Sequence, residues 1–181
     1  MLKALLIPSG NDAAYTIAAS IGRVTAGDES LSAADAVKKF VALMNQTAAE
    51  LGMSNTHFNN PDGYPEAAHY STAGDMLKLV KHADSPPQVR EIVKQVTVTE
   101  SLLNGRTCTW KSTNKLLLAD DEKHYNPYVT GMKTGSGDTT YCLTVSAEKD
   151  GRRLLLVLMG ARKEEDRWTD ANGLLQIGFE A

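Results

Sequence analysis

Hydrophobic positions in the first half of the chain recur at helical spacing. Over residues 11–21, Ala14, Ile17, Ala18 and Ile21 fall on one stripe, and Gly22 follows as a stop signal. Ser32-Ala33-Ala34-Asp35 reads as a variant capping box that opens a second helix, with Val37, Phe40, Val41, Met44, Ala48 and Leu51 on its core face. Gly52 stands where a left-handed C-cap belongs. Thr72-Ala73-Gly74-Asp75 caps a third helix carrying Met76, Leu79, Val80 and Ala83, and Ser85-Pro86-Pro87 ends it. Residues 54–70, rich in Asn, Pro, Gly and His, predict an ordered loop.

From Val96 the period changes to two. Val96-Thr97-Val98-Thr99 alternates, and Asn104-Gly105 is a strong hairpin signal. Tyr128–Lys133, Thr139–Glu148 and Leu154–Met159 predict three further strands, with a tight turn at Lys149-Asp150-Gly151-Arg152 between the last two. A closing helix spans about Glu164 to Phe179. The fold class is therefore α+β. About 1–95 form a mainly helical lobe, and about 96–181 form a hairpin, an antiparallel sheet and a C-terminal helix.

Composition narrows the function classes. A net charge of -3 and a pI near 5.8 argue against a nucleic-acid-binding surface, which needs clustered positive charge. The pairs Lys38-Lys39 and Arg152-Arg153 are isolated and are expected on solvated faces. No apolar run approaches the roughly 20 residues that cross a bilayer. Residues 1–8 hold one lysine and a brief apolar stretch without a small-residue cleavage site, so they are not read as a signal peptide. Cys108 and Cys142 could be two thiols or one bridge. Two cysteines and four scattered histidines assemble no zinc cluster, and no metal or cofactor is expected. His57 and His69 are expected to pack the loop between them.

Two short motifs carry the chemistry. Ser9-Gly10-Asn11 enters a helix, and Lys133-Thr134-Gly135 ends a strand. Each alone is a weak signal, because three-residue patterns arise by chance and Ser-Gly-Asn is also a good turn and helix cap. In this order they match the Ser-x-Asn and Lys-Thr-Gly elements of serine penicillin-binding proteins and β-lactamases. The surrounding sequence resembles the low-molecular-mass D-Ala-D-Ala carboxypeptidases. The similar segments are Leu6-Ile7-Pro8-Ser9-Gly10-Asn11-Asp12-Ala13, Leu51-Gly52-Met53, Asn55-Thr56-His57-Phe58, Pro61-Asp62-Gly63, and His69 to Ala73 with Asp75. Gly131 to Gly135 and Leu156 to Ala161 continue the resemblance nearly to the end of the chain.

One family element does not match. The nucleophile of these enzymes lies in a Ser-x-x-Lys motif well upstream of Ser-x-Asn, and only eight residues precede Ser9 here. Ser112–Lys115 and Ser146–Lys149 fit the pattern but are expected to be accidental. The chemistry needs both side chains on one helical face, and odd spacing on a strand separates them. The expected fold is thus an incomplete β-lactamase/transpeptidase-like one.

The resemblance implies a role for each matching residue. Ser9 would relay a proton to the departing D-alanine nitrogen, aided by Lys133, and Asn11 would donate to the substrate amide carbonyl. Lys133 and Thr134 would hold the terminal carboxylate, Gly135 would let substrate lie along the strand, and the Ser136 N–H would form half of an oxyanion hole. Arg167 stands where related enzymes carry a carboxylate-binding arginine, although Glu164 or Asp170 could instead pair with it. The implied partners are a peptidoglycan stem peptide ending in D-Ala-D-Ala and, for the complete enzyme, β-lactam antibiotics. The implied location is extracytoplasmic, with neither a signal peptide nor an anchor read in this chain. The alternatives are a non-catalytic peptidoglycan-peptide-binding remnant and a β-lactamase.

Overall fold

A computed structural model describes residues 1–181. The helices are α1 (Leu2–Leu6), α2 (Asn11–Ala26), α3 (Ala33–Glu50), α4 (Ala73–Ala83), α5 (Pro87–Val93) and α6 (Glu164–Glu180). The strands are β1 (Thr97–Ser101), β2 (Thr107–Lys111), β3 (Val129–Ser136), β4 (Tyr141–Lys149) and β5 (Arg152–Ala161). The chain divides into two compact units. One comprises Met1 and Gly10–Leu79, and the other comprises Leu2–Ser9 and Val80–Ala181.

In the first unit, α2 packs against α3. Gly22 does not stop α2; the helix runs on to Ala26, where Gly27 at φ 65° supplies the left-handed cap. Gly22 is instead a packing residue, because a Cβ there would lie 1.9 Å from the Ala36 carbonyl oxygen. The Ser32 side chain accepts from the Asp35 N–H as a true N-cap, and Gly52 adopts φ 70°. The face expected as core on α3 is half-buried, with Ala48 its one buried member, and Ala36, outside that face, is buried too.

The loop of residues 54–70 is ordered by polar anchors. Asn45 brackets Phe58, donating to its carbonyl at 2.8 Å and accepting from its N–H at 2.8 Å. Buried Asp75 accepts from the Asn55 N–H at 2.8 Å and the Thr56 hydroxyl at 3.0 Å. His57 Nδ1 lies 2.9 Å from the Ala68 carbonyl and His69 Nδ1 accepts from the Asn59 N–H, so both histidines pack the loop.

The second unit is built on an antiparallel sheet of order β3-β4-β5, with β1 and β2 forming a separate hairpin. Gly105 turns that hairpin at φ 78°. Trp168, Ala171 and Leu175 of α6 pack on Leu116, Leu117, Val129, Leu143, Val145 and Ala147 to form the main core. A smaller cluster joins Val80, Val93 and Met132 with Leu6, Val89, Leu155 and Val157.

Some expectations need correction here, and questions left open are decided. Residues 2–6 form α1, and Leu6 packs in the smaller cluster. Pro87 does not only follow a helix end; it opens α5 from the first turn, where its missing N–H costs nothing. Lys133-Thr134-Gly135 lies within β3 rather than ending it. Arg153 is not a solvated charge, since it forms a two-pronged pair with buried Asp84 at 2.5 and 2.7 Å. Cys108 and Cys142 are both free thiols. None of the helices is long and apolar enough to cross a membrane.

Gly22 yields a test in which two effects oppose. Alanine is favoured over glycine in a helix by about 1 kcal/mol, but the added methyl must push α3 away. Overpacking typically costs about 1–3 kcal/mol, and a 1.9 Å approach to backbone lies at the severe end. Gly22→Ala is therefore expected to lower the urea midpoint of unfolding. An unchanged or raised midpoint would refute the tight α2–α3 contact.

Candidate active site

Lys133 and Ser9, far apart in sequence, meet in the second unit. The Lys133 Nζ donates to the Ser9 Oγ at 2.6 Å and to the Thr134 carbonyl at 2.6 Å. Ser9 is placed by the segment before it. Lys3 is ion-paired with Glu100 of β1, Leu6 packs in the smaller core cluster, Ile7 is buried, and the Ile7 carbonyl accepts from the Thr113 N–H at 3.3 Å. Ser9 itself holds φ 63°, a left-handed conformation that costs a residue with a Cβ about 1–2 kcal/mol. Strain of this kind persists where the surroundings over-determine the backbone.

The ammonium of Lys133 is poised. Burial, and then the nearby positive charge of Arg167, lower its pKa from the usual lysine range to about 8. At neutral pH it is a cation that needs only a small further push to give up a proton.

The rest of the strand end is fixed from two sides. The buried Thr134 places its hydroxyl 2.6 Å from that of Thr113. Arg167 is buried in the first turns of α6, and its Nη1 donates to the Gly135 carbonyl and to the Ser136 Oγ, both at 3.0 Å. Its guanidinium carbon lies 4.3 Å from the Trp168 ring centre and 5.3 Å from that of Tyr141. Glu164 accepts from Nη2 at 3.3 Å, so the local ion pair and the grip on β3 coexist. Asp170 takes no part in the pairing. Asn11 opens α2 in the other unit and is exposed; Gly10, not a side chain, caps that helix.

In neither downstream serine-lysine match does the lysine bond to the serine hydroxyl. The Ser112 Oγ accepts from the Asn114 N–H, while Lys115 turns to Glu164 at 3.2 Å. Ser146 is fully buried against the Thr130 hydroxyl, and Lys149 lies over the Tyr128 ring at 4.9 Å.

The family model described as D-alanyl-D-alanine carboxypeptidase matches residues 1–163. This chain belongs to that family. A D-alanyl-D-alanine carboxypeptidase of Streptomyces sp. (strain K15) is 35% identical over 99% of this chain and 60% of its own length. The carboxypeptidase DacF of Bacillus subtilis (strain 168) is 37% identical over 99% of this chain and 42% of its own. The chain thus spans less than two thirds of the curated relatives it matches. The solved Streptomyces K15 DD-transpeptidase superposes with a TM-score of 0.87 at 33% identity, covering 99% of this chain and 66% of that one. Penicillin-binding protein D2 of Listeria monocytogenes, solved in its ampicillin-bound form, gives 0.77 at 29% identity, covering 98% and 65%. The α+β arrangement is that of this family.

Thr113 escapes a sequence reading of this carboxypeptidase-family site. It sits inside the accidental Ser112–Lys115 match, and its partner is a hydroxyl on another element, which leaves no periodic or motif signal.

Lys133 should be visible by direct measurement. In protein labelled at lysine, the carbon–nitrogen resonances of Lys133 are expected to titrate near 8, against about 10.4 for a model lysine. Arg167→Gln should raise that midpoint only in part, because burial is the larger cause. The fold disfavours the Lys133 cation, so this group costs stability below about 8 and the cost is relieved as pH rises toward the unfolded value. Lys133→Met should remove that rise. A Lys133 midpoint at the model value would refute the burial argument.

Proposed function

We propose that this chain provides the proton-relay and carboxylate-binding part of a serine D-Ala-D-Ala carboxypeptidase, which removes the terminal D-alanine from peptidoglycan stem peptides through an acyl-enzyme. The observation that carries this reading is the Lys133 ammonium 2.6 Å from the Ser9 hydroxyl. A serine hydroxyl is too weak an acid to protonate a leaving amine unaided. With a lysine near its pKa hydrogen-bonded to it, Ser9 can pass its proton to the departing D-alanine nitrogen and recover one from Lys133. The acylating serine is expected from a Ser-x-x-Lys helix that neither Ser112 nor Ser146 reproduces.

The carboxylate end of the reading rests on charge and an open strand edge. Lys133 has three N–H donors, and two are engaged by Ser9 and the Thr134 carbonyl. The third is left for a substrate carboxylate, to which the Thr134 hydroxyl would donate while accepting from Thr113. Arg167 adds positive charge while holding Gly135 and Ser136 in place. A Cβ at Gly135 would meet Cys142 only at ordinary contact distance, 3.4 Å, so the sheet itself does not demand glycine. The bare position instead suits a peptide laid along β3, whose ladder pairs with β4 alone. The Ser136 N–H is assigned to an oxyanion hole and Asn11 to the substrate amide, both by resemblance to the family. β-Lactams would acylate the complete enzyme at the same place, and the work site would lie outside the cytoplasmic membrane.

The second reading is a peptide-binding remnant. It is favoured by the same observation that Ser112 and Ser146 lack a lysine at their hydroxyls. A β-lactamase is the weaker alternative, since the family match runs to the carboxypeptidases.

Intact-protein mass measurement after incubation with penicillin separates these readings. The chain alone is expected to gain no acyl group. The chain fused to the family's Ser-x-x-Lys segment is expected to gain one and to cleave an acyl-D-Ala-D-Ala peptide. In that fusion Lys133→Ala should lower kcat by roughly 10²–10³, the scale of losing one transition-state charge contact. Arg167→Ala should act mainly on KM. An acyl gain by the chain alone would place a nucleophile within these residues. A fusion that binds the peptide but never acylates would favour the remnant.

A further inference from the structure

His124 lies between two carboxylates with both ring nitrogens engaged. Its Nδ1 is 2.8 and 2.9 Å from the two oxygens of Asp121, and its Nε2 is 3.0 Å from Oε1 of Glu165. A neutral imidazole has one N–H and one lone pair. In either tautomer one nitrogen would face a carboxylate lone pair to lone pair. The arrangement therefore requires the imidazolium, which donates on both sides. The side chain is only 8% exposed and rests beside Trp168, with 6.3 Å between ring centres.

The charges around it come from three elements. The loop before β3 contributes Asp121 and also Lys123, which is ion-paired with Glu165. From α6 come Glu165, Trp168 and Asn172, whose Nδ2 donates to the His124 carbonyl at 3.0 Å. From the short turn at Lys115–Leu117 comes Lys115, bound to Glu164 and 5.9 Å from the Trp168 ring centre. Burial alone would lower the pKa of His124, but the hydrogen bonds and charges of Asp121 and Glu165 outweigh it and hold it above the usual value. Lys123 and His124 together pull the Glu165 carboxyl down to about 2.

This cluster holds the first turns of α6, and those turns carry the arginine that grips β3. Arg167 is two residues from Glu165, packs on the same Trp168, and donates to the Gly135 carbonyl and the Ser136 hydroxyl. We propose that His124 is a positioning residue for the end of the Lys-Thr-Gly strand. As an imidazolium it clamps the start of α6 to the loop before β3, and through Arg167 it fixes Gly135 and Ser136; loss of its proton releases that end. The clamp stands on the contacts alone, while its effect on substrate rests on the carboxypeptidase reading given above.

The direction with pH follows from the raised value. The clamp is fully present below the ordinary histidine range, near 6.5, and is lost as pH rises through the higher folded value. On deprotonation Asp121, which meets the ring with both oxygens, retains the remaining N–H, and the Glu165 side opens.

Nuclear magnetic resonance of the labelled chain across this range tests the clamp without needing catalysis. The Ser136 and Gly137 amides and the Trp168 indole N–H are expected to move with the midpoint of the His124 imidazole. In His124→Gln that movement should vanish, while the Lys133 titration near 8 persists. Glu165→Gln, which removes one carboxylate and keeps the ring, should lower the His124 midpoint and carry the amide midpoints with it. Amides at Ser136 and Gly137 that ignore the His124 titration in the unaltered chain would overturn the proposal, whether or not either variant folds. Binding of an acyl-D-Ala-D-Ala peptide, followed in parallel, should weaken about fivefold or more across the His124 midpoint. A peptide that binds at no pH defeats the substrate reading, and the resonances still decide the clamp. Peptide binding through Lys133 that is indifferent to His124 overturns the clamp's role in the site.

Discussion

A partly desolvated ammonium is the constraint around which this molecule is arranged. Lys133 sits on β3 beside Met132, a member of the smaller core cluster, and a lysine drawn out of water must find acceptors or lose its charge. Two acceptors are supplied at 2.6 Å, one by its neighbour's carbonyl and one by Ser9. The second is available only because α1 is fastened to the hairpin and the smaller cluster, and because Ser9 takes a left-handed turn as it leaves that anchorage. The short helix α1 thus does what its composition does not disclose: it holds the Ser9 hydroxyl against Lys133.

That constraint also explains why the site carries two cations in a chain of net charge -3. Lys133 and Arg167 repel each other, and the repulsion helps bring Lys133 down to about 8. Arg167 remains charged because its planar group is held by ring faces and carbonyl acceptors that suit a guanidinium. Acidic groups gather one layer behind, at Glu164, Glu165 and Asp121, where they pair with Lys115, Lys123 and His124. Glu165 and Asp121 are thereby occupied by Lys123 and His124, and Glu164 is shared between Lys115 and Arg167.

Much of the second half was legible because its signals are local. Asn104-Gly105 specifies a hairpin by backbone conformation, Asp150-Gly151 does the same for the β4–β5 turn, and α6 begins at Glu164 as its pattern suggests. The misses share a different cause. α1 and α5 are five and seven residues long, too short for periodicity to show, and their existence is decided by the cluster they pack in. Gly22 reads as punctuation in one dimension and is a close contact in three. Arg153 reads as a surface charge because its partner, Asp84, lies on the far side of the hairpin in sequence.

The candidate site divides along the same line. Ser9 and Lys133 were identified by motif order, which encodes their meeting without showing its geometry. Thr113 and His124 carry no motif, because their partners, Thr134 for one and Asp121 and Glu165 for the other, are met only through packing. Thr113 ties the Ile7 carbonyl to one side and the Thr134 hydroxyl to the other, so a single residue couples the placement of both motifs. His124 and Trp168 set the helix that bears Arg167. Residues that support a site from behind must match partners distant in sequence, and such matches are written only in the packed structure. In this chain the motif residues are visible in one dimension and their supports in three.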